Sequence, residues 1–346
     1  MAEPDDTAAA GPVAGPLAGS VAEAAAEAAT GSVSGAAAGA VAGVRRVWRS
    51  DREIRLRAQL GVFRRGSGDP TFHWATDRSV VRAVQTPQGV GTLHLFVRSD
   101  GSQVEATAWG PGAAWLLDSV PALLGDEDDP SDFVPPHPVV AEAWRRFSFW
   151  RVPRSGLLFD ALAPAVIEQK VTGQEAFAGY RRLVRRFGVS APGPVAGLMA
   201  PPTAAGWAAI PSWAWLQASV DGARSRTIVR AAGFAGRLEQ GVGLGLPEAH
   251  RRMRALPGIG VWTAAEVAQR ALGDPDSVSF GDYHVAKDIG WALTGTPVDD
   301  DGLAELLQPY AGHRYRVQHL LGLSGLHRPR RGARISPRTH LPTRTR

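Results

Sequence analysis

The stretch Leu256-Pro257-Gly258-Ile259-Gly260-Val261-Trp262-Thr263-Ala264 restricts the possible folds of this chain more than any other. A basic segment, Pro247 to Ala255, precedes it and reads as a short helix with proline in its first turn, where a missing N–H costs nothing. From Val261 a second helical pattern runs to Leu272 and stops at Gly273, where a left-handed cap is cheapest. Two helices joined by a Pro-Gly-x-Gly turn must double back, so 247–272 is expected to form a helical hairpin. The glycines permit backbone geometry closed to other residues and let neighbouring groups approach. A turn feeding a helix N-terminus also points unpaired N–H groups outward, which suits a phosphate. A loop containing Gly273-Asp274-Pro275 follows, and it ends at Gly281-Asp282-Tyr283 where another helix is expected to begin.

The rest of the chain is read around that hairpin. Its 346 residues suffice for two domains. The absence of cysteine excludes disulfides, thiolate zinc sites and iron–sulfur clusters. No apolar run is long enough to span a bilayer, and Met1-Ala2-Glu3-Pro4-Asp5-Asp6 lacks the basic start of a signal peptide, so a soluble cytoplasmic protein is expected. Of the 38 basic residues only Lys170 and Lys287 are lysine. That arginine preference fits phosphate binding and fits a GC-rich coding sequence equally. The net charge of +5 divides into −5 for residues 1–44, +7 for 327–346 and +3 for the body between them. A mildly basic body agrees with nucleic-acid binding without requiring it.

Residues 1–44 are Ala/Gly-rich with no apolar face and read as a disordered tail. Residues 45–125 read as a small α+β domain. Val80–Val84, Leu93–Val97 and Val104–Trp109 alternate as antiparallel strands, and Gly110-Pro111-Gly112 breaks the run before a helix over Ala113–Leu124. The acidic, proline-rich residues 126–138 read as a solvated linker. From 139 to 326 the periodicity is helical, with segments at Leu157–Glu168 (carrying Pro164), Gln174–Phe187, Trp213–Ala218 and Arg224–Leu238. The final stretch, 327–346, reads as a flexible basic tail. Walker-type, G-x-S-x-G, H-E-x-x-H and G-x-G-x-x-G motifs do not occur.

The hairpin, the Gly/Pro loop and Asp282 together resemble the helix-hairpin-helix DNA glycosylase superfamily. Trp262 and Gly281-Asp282-Tyr283 resemble its 3-methyladenine DNA glycosylase II branch. The resemblance is specific over about Leu157–Leu326 and loose over 48–125. It implies a mostly α domain of two helical lobes behind the α+β domain. It also implies a monomeric, monofunctional enzyme that flips a damaged base out of double-stranded DNA and hydrolyses its glycosidic bond. Asp282 would be the catalytic carboxylate, ionised beside a helix N-terminus; by position alone it is also a favoured N-cap. Trp262 would form a wall of the base pocket, where an indole face attracts a cationic alkylpurine. His313, within the segment Pro309–Tyr315 that resembles the last helix of the family, and Tyr283 complete that candidate pocket.

Further roles follow from the same likeness. Leu256, Pro257, Gly258, Ile259 and Gly260 would anchor the DNA backbone through N–H groups. Carbonyls of Arg254, Leu256 and Ile259 could hold a monovalent sodium or potassium ion; no other cofactor is implied. Gln169, Lys170 and Val171 occupy the place of the wedge that fills the gap left by a flipped nucleotide. The best-known relative in that family carries an apolar wedge residue after the glutamine where this chain has Lys170, which leaves Gln169 or Val171 as the inserting residue. Bifunctional relatives resembling endonuclease III carry a Schiff-base lysine where this chain has Trp262. Two other functions fit the same residues: a non-catalytic hairpin DNA-binding protein, and a glycosylase for oxidised or deaminated bases.

Overall fold

A computed structural model describes residues 43–99 and 101–329. The amino-terminal part is one antiparallel sheet built from β1 (Val44–Arg49), β2 (Phe72–Trp74), β3 (Val80–Thr86), β4 (Gly89–Val97) and β5 (Gln103–Trp109), in the spatial order β1-β5-β4-β3-β2. A short helix, α1 (Leu56–Leu60), lies between β1 and β2, and α2 (Ala113–Leu123) follows β5. The period of two decides the faces. Val104, Ala106 and Ala108 of β5 are buried while Gln103, Glu105, Thr107 and Trp109 alternate with them. Leu116, Leu117, Val120 and Leu123 of α2 close that face. The other face is covered as well: β6 (Val189–Ser190) and β7 (Met199–Ala200) bring Leu198 and Ala200 against Val81 and Ala83. Strand β3 is therefore buried along almost its whole length.

The helical part comprises α3 (Pro138–Phe147), α4 (Leu158–Ile167), α5 (Gly173–Phe187), α6 (Ala204–Ala208), α7 (Ser212–Gln217), α8 (Gly222–Gly233) and α9 (Ala235–Glu239). It continues with α10 (Leu246–Arg254), α11 (Val261–Val267), α12 (Val285–Thr294), α13 (Asp300–Leu307) and α14 (Arg314–Leu323). Its apolar side chains form two main clusters. One surrounds α4, whose residues other than Asp160 are all buried, and draws in α5, α8, α10 and α11. The other joins Val140 of α3 to Leu303, Leu307, Val317 and Leu320 of α13 and α14. Helix α5 starts at a Thr172 N-cap, whose hydroxyl accepts from the N–H of Glu175, three residues on.

Several expectations need correction. Strands β1 and β2 join the sheet although the sequence pattern pointed only to β3, β4 and β5; β1 is held by its register with β5, Val44 opposite Ala108. The expected helix over Arg224–Leu238 is two, α8 and α9, meeting at Phe234. The last helix begins only at Arg314, after a 3₁₀ turn at Gln308–Tyr310. The acidic residues 126–138 expose Asp126, Glu127, Asp129 and Asp132 but are fastened to the helices at two points. Phe133 is buried against Trp144, with ring centroids 5.5 Å apart, and Asp128 is inside the protein, paired with Arg316. Arginine on α14 draws the acid inward, because neither charge could be buried alone. The expected tails, 1–44 and 327–346, fall outside the described residues except for positions 43–44 and 327–329.

Candidate active site

Helices α10 and α11 form the hairpin, with one proline and two glycines at the turn between them. Pro257, Gly258 and Gly260 are exposed, while Ile259 turns inward at 5% exposure and its N–H donates to the Leu256 carbonyl at 3.1 Å. Gly258 has φ +97°, and a Cβ there would lie 2.2 Å from the Thr227 hydroxyl of α8. Only glycine satisfies both conditions. We expect Gly258→Ala to lower stability by about 1–3 kcal/mol, read as a lower denaturation midpoint at an unchanged m-value. The outward carbonyls are tied down: Pro257 accepts from Arg230 (3.0 Å) and Gly258 from the Gln169 amide (2.9 Å). Gly260 offers no side-chain cap to α11, so the first-turn N–H groups face outward without an internal acceptor of that kind.

Trp262 stands in the first turn of α11, and the loop ending at Asp282 is fastened beside it. Gln269 donates to the Ser277 carbonyl (2.8 Å) and the Ser279 hydroxyl (2.9 Å). Gln318 of α14 donates to the same hydroxyl at 3.0 Å and accepts from the Ser279 N–H at 3.1 Å. That hydroxyl donates in turn to Glu266 at 2.5 Å. Gly281, with φ +85°, lies over the tryptophan: a Cβ on it would be 4.0 Å from the Cβ of Trp262. Acid and indole are neighbours. One oxygen of Asp282 accepts from the N–H groups of His284 (2.7 Å) and Val285 (3.1 Å), so the carboxylate also caps α12 from just outside it. The Trp262 indole N–H is buried without a well-formed hydrogen bond, yet it lies near enough to favour the ionised Asp282.

The helix terminus does not dominate the titration of Asp282, contrary to the argument from position. Burial pushes its carboxyl upward and the Glu266 charge adds to this, outweighing the N–H groups of His284 and Val285 and the indole. Behind it lies a set of buried charges that the sequence reading missed. Glu168 at the end of α4 pairs with Arg65 at 2.9 Å, and Glu266 pairs with Arg270 at 2.7 Å, all four side chains at most 6% exposed. Burial raises Glu168 too, opposed by Arg65 and Arg270. Three carboxylates thus share two guanidinium groups, and Asp282 is the one left without an arginine. The signal was present: Glu266 and Arg270 stand four apart in a helical segment, 261–272, with no other charged residue.

The remaining candidates fall in different places. Gln169 also donates to the Thr263 hydroxyl at 2.8 Å, so its amide is spent on the hairpin, and Val171 packs on the α4 cluster. Lys170 between them is exposed with φ +56°, a conformation rare outside glycine. Tyr283 is 67% exposed, with the Lys287 ammonium 3.7 Å from its ring centre, and lines no enclosed wall. His313 is buried among its own partners: Asp132 at 2.8 Å, Arg316 at 3.1 Å, and the Phe133 ring at 5.2 Å. Asp132 and Arg316 claim both of its ring nitrogens. Among the described residues no group of three or more His, Asp or Glu could hold a metal ion, and the Leu256 carbonyl proposed for a monovalent cation already accepts one hydrogen bond. No described helix is long and apolar enough to cross a membrane.

This architecture, an antiparallel sheet followed by helices that carry a hairpin, is a fold shared with solved structures of DNA glycosylases. The 3-methyladenine DNA glycosylase from Archaeoglobus fulgidus superimposes with a TM-score of 0.67 at 17% identity, over 80% of this chain and 98% of that one. MBOgg1, in complex with a low-affinity DNA ligand, gives 0.64 at 13% identity over 82% and 96%. The 8-oxoguanine glycosylase/lyase of Clostridium acetobutylicum, bound to double-stranded DNA, gives 0.59 at 11% over 81% and 97%. No protein-family profile and no curated protein sequence matches the chain.

Proposed function

We propose that the chain is a monofunctional DNA glycosylase for alkylated purines of the 3-methyladenine type, acting on double-stranded DNA in base excision repair. The observation that carries this is the contact of Gly281-Asp282 with Trp262 beside the exposed hairpin turn. In this proposal the two helical clusters are two lobes, and the groove between them takes the flipped nucleotide. The hairpin from Leu256 to Gly260 grips the backbone, with the Arg254, Leu256 and Ile259 carbonyls available to a monovalent cation. Lys170, displayed in its left-handed conformation while Gln169 and Val171 are engaged, is the group that meets the duplex.

The chemistry follows from the charges. As the C1′–N bond breaks, its electrons leave with the base, and an alkylated purine cation departs as a neutral molecule. The sugar becomes cationic, and ionised Asp282, the carboxylate without an arginine, faces it at close range. Water adds to C1′ and gives up a proton to Asp282, leaving an abasic site. The Trp262 ring stacks on the cationic base before it leaves. A lyase step would need an amine nucleophile. Trp262 supplies none, and neither lysine is in the Asp282 loop or on α11.

Activity then requires ionised Asp282. With its carboxyl raised, the rate falls as pH drops through a value above the ordinary aspartate range. Glu266→Gln removes the neighbouring negative charge, so the acid limb of the pH–rate profile should move to lower pH. An unmoved limb, in a variant shown to be folded, would separate Glu266 from the chemistry.

The 8-oxoguanine enzymes among the similar structures support a second reading, a glycosylase for oxidised bases. A panel of duplexes, each with one lesion, decides between them. Release of 3-methyladenine with no release of 8-oxoguanine supports the proposal, and the reverse overturns it.

A further inference from the structure

A cavity of about 390 Å³ opens between the β3–β4 turn and the helices around α4, and neither Asp282, Trp262 nor the hairpin turn lines it. That volume lies within the range of small-molecule sites, which favour boundaries between structural units. Its walls are chiefly apolar, with Trp207, Phe159, Leu157 and a run of prolines that includes Pro201 and Pro202. Trp207 is stacked between Tyr180 and Trp215, with ring centroids 6.4 and 5.7 Å away, so this wall is rigid.

The charged groups at the cavity are both acids, Asp160 and Glu239, beside the neutral Gln85, Thr86 and Thr203. Asp160 presents a carboxylate of which one oxygen accepts from Arg82 at 2.9 Å. Glu239 uses its two oxygens to accept from the N–H groups of Leu158 (3.0 Å) and Phe159 (2.7 Å), each oxygen keeping a lone pair. Tyr180 is 6% exposed, lines the cavity, and has no hydrogen-bond partner for its hydroxyl among the described residues. No Arg, Lys or His is among the described residues lining the cavity, so it repels phosphate and carboxylate groups.

We propose that this cavity binds a small planar aromatic molecule bearing an amine or ammonium group. The ring would lie against the prolines and the edge of Trp207, and the N–H donors would reach the Tyr180 oxygen and the free lone pairs of Asp160 and Glu239. Aliphatic polyamines do not suit the apolar walls, and nucleotides are rejected by the acids. The site does not depend on the glycosylase reading.

The test is calorimetric titration of the full chain with tryptamine, and with indole-3-propionate as a probe of nearly the same shape and opposite charge. Tryptamine should bind one site with a Kd between about 0.05 and 1 mM, and indole-3-propionate should not bind. Tyr180→Phe should weaken tryptamine about 5- to 10-fold. Ala204→Leu, at the half-buried rim of the cavity, should abolish binding with the circular dichroism unchanged. The proposal is overturned if tryptamine shows no saturable binding, if both probes bind equally, or if binding survives Ala204→Leu.

Discussion

Asp282→Asn is expected to reduce base release by about 10²- to 10⁴-fold while duplex affinity stays within about twofold of the native chain. Asparagine keeps the oxygen that accepts from His284 and Val285, so the start of α12 and the loop should hold their shape. What disappears is the charge that faces the cationic sugar. The same variant should melt at a higher temperature than the native chain near neutral pH. A carboxyl raised above its unfolded value means that the folded state prefers the proton. The ionised form therefore costs stability above the folded pKa, and that cost is relieved as pH falls through it. A neutral isostere removes the cost at every pH. Activity lost and stability gained together distinguish a catalytic acid from a plain cap, whose removal would only destabilise. Thermal melts at pH 5 and pH 8 check the sign: the gap between variant and native should be larger at pH 8.

Arg316→Met should have the largest effect on stability. The Arg316 side chain is fully buried and grips both oxygens of Asp128, at 2.7 and 3.0 Å, while Asp128 also accepts from the Val152 N–H at 2.8 Å. The guanidinium also touches the His313 ring nitrogen and lies over Phe133 and Trp144. Removing it strands a carboxylate inside the protein, which costs about 3–5 kcal/mol. In a domain of this size that is a Tm loss of roughly 6–20 °C. Asp128→Asn combined with Arg316→Met removes both charges and should recover part of the loss, because the cost arises mainly from the unpaired acid. If the single variant melts within a degree of the native chain, the segment 126–138 is not fastened through this pair.

How far the sequence could be read follows from how local each feature is. The hairpin was legible because its signals are near-neighbour ones: proline in the first turn of α10, Gly258 at a positive φ, and Gly273 in the left-handed cap. Strands β3, β4 and β5 were legible from alternation, whereas β1 has an exposed, arginine-rich pattern and exists through its pairing with β5. The inward turn of residues 126–138 depends on Arg316, 188 residues away from Asp128 in sequence, and no local pattern announces that. His313 was placed by its likeness to a family helix, and its contacts with Asp132 and Arg316 had no local signal. The pairing of Asp282 with Trp262 needed the loop to close, and Ser279 closes it through Glu266, Gln269 and Gln318.

The central claim is that the acid beside the indole breaks glycosidic bonds in damaged DNA. It is tested most directly by single-turnover incubation of the full chain with methylated duplex DNA, scoring free bases, strand breaks and borohydride-trapped adducts in one experiment. We expect free 3-methyladenine, intact strands until alkali is added, and no trapped adduct. Tight DNA binding without any released base would contradict the account, and base release with a trapped covalent adduct would contradict its mechanism.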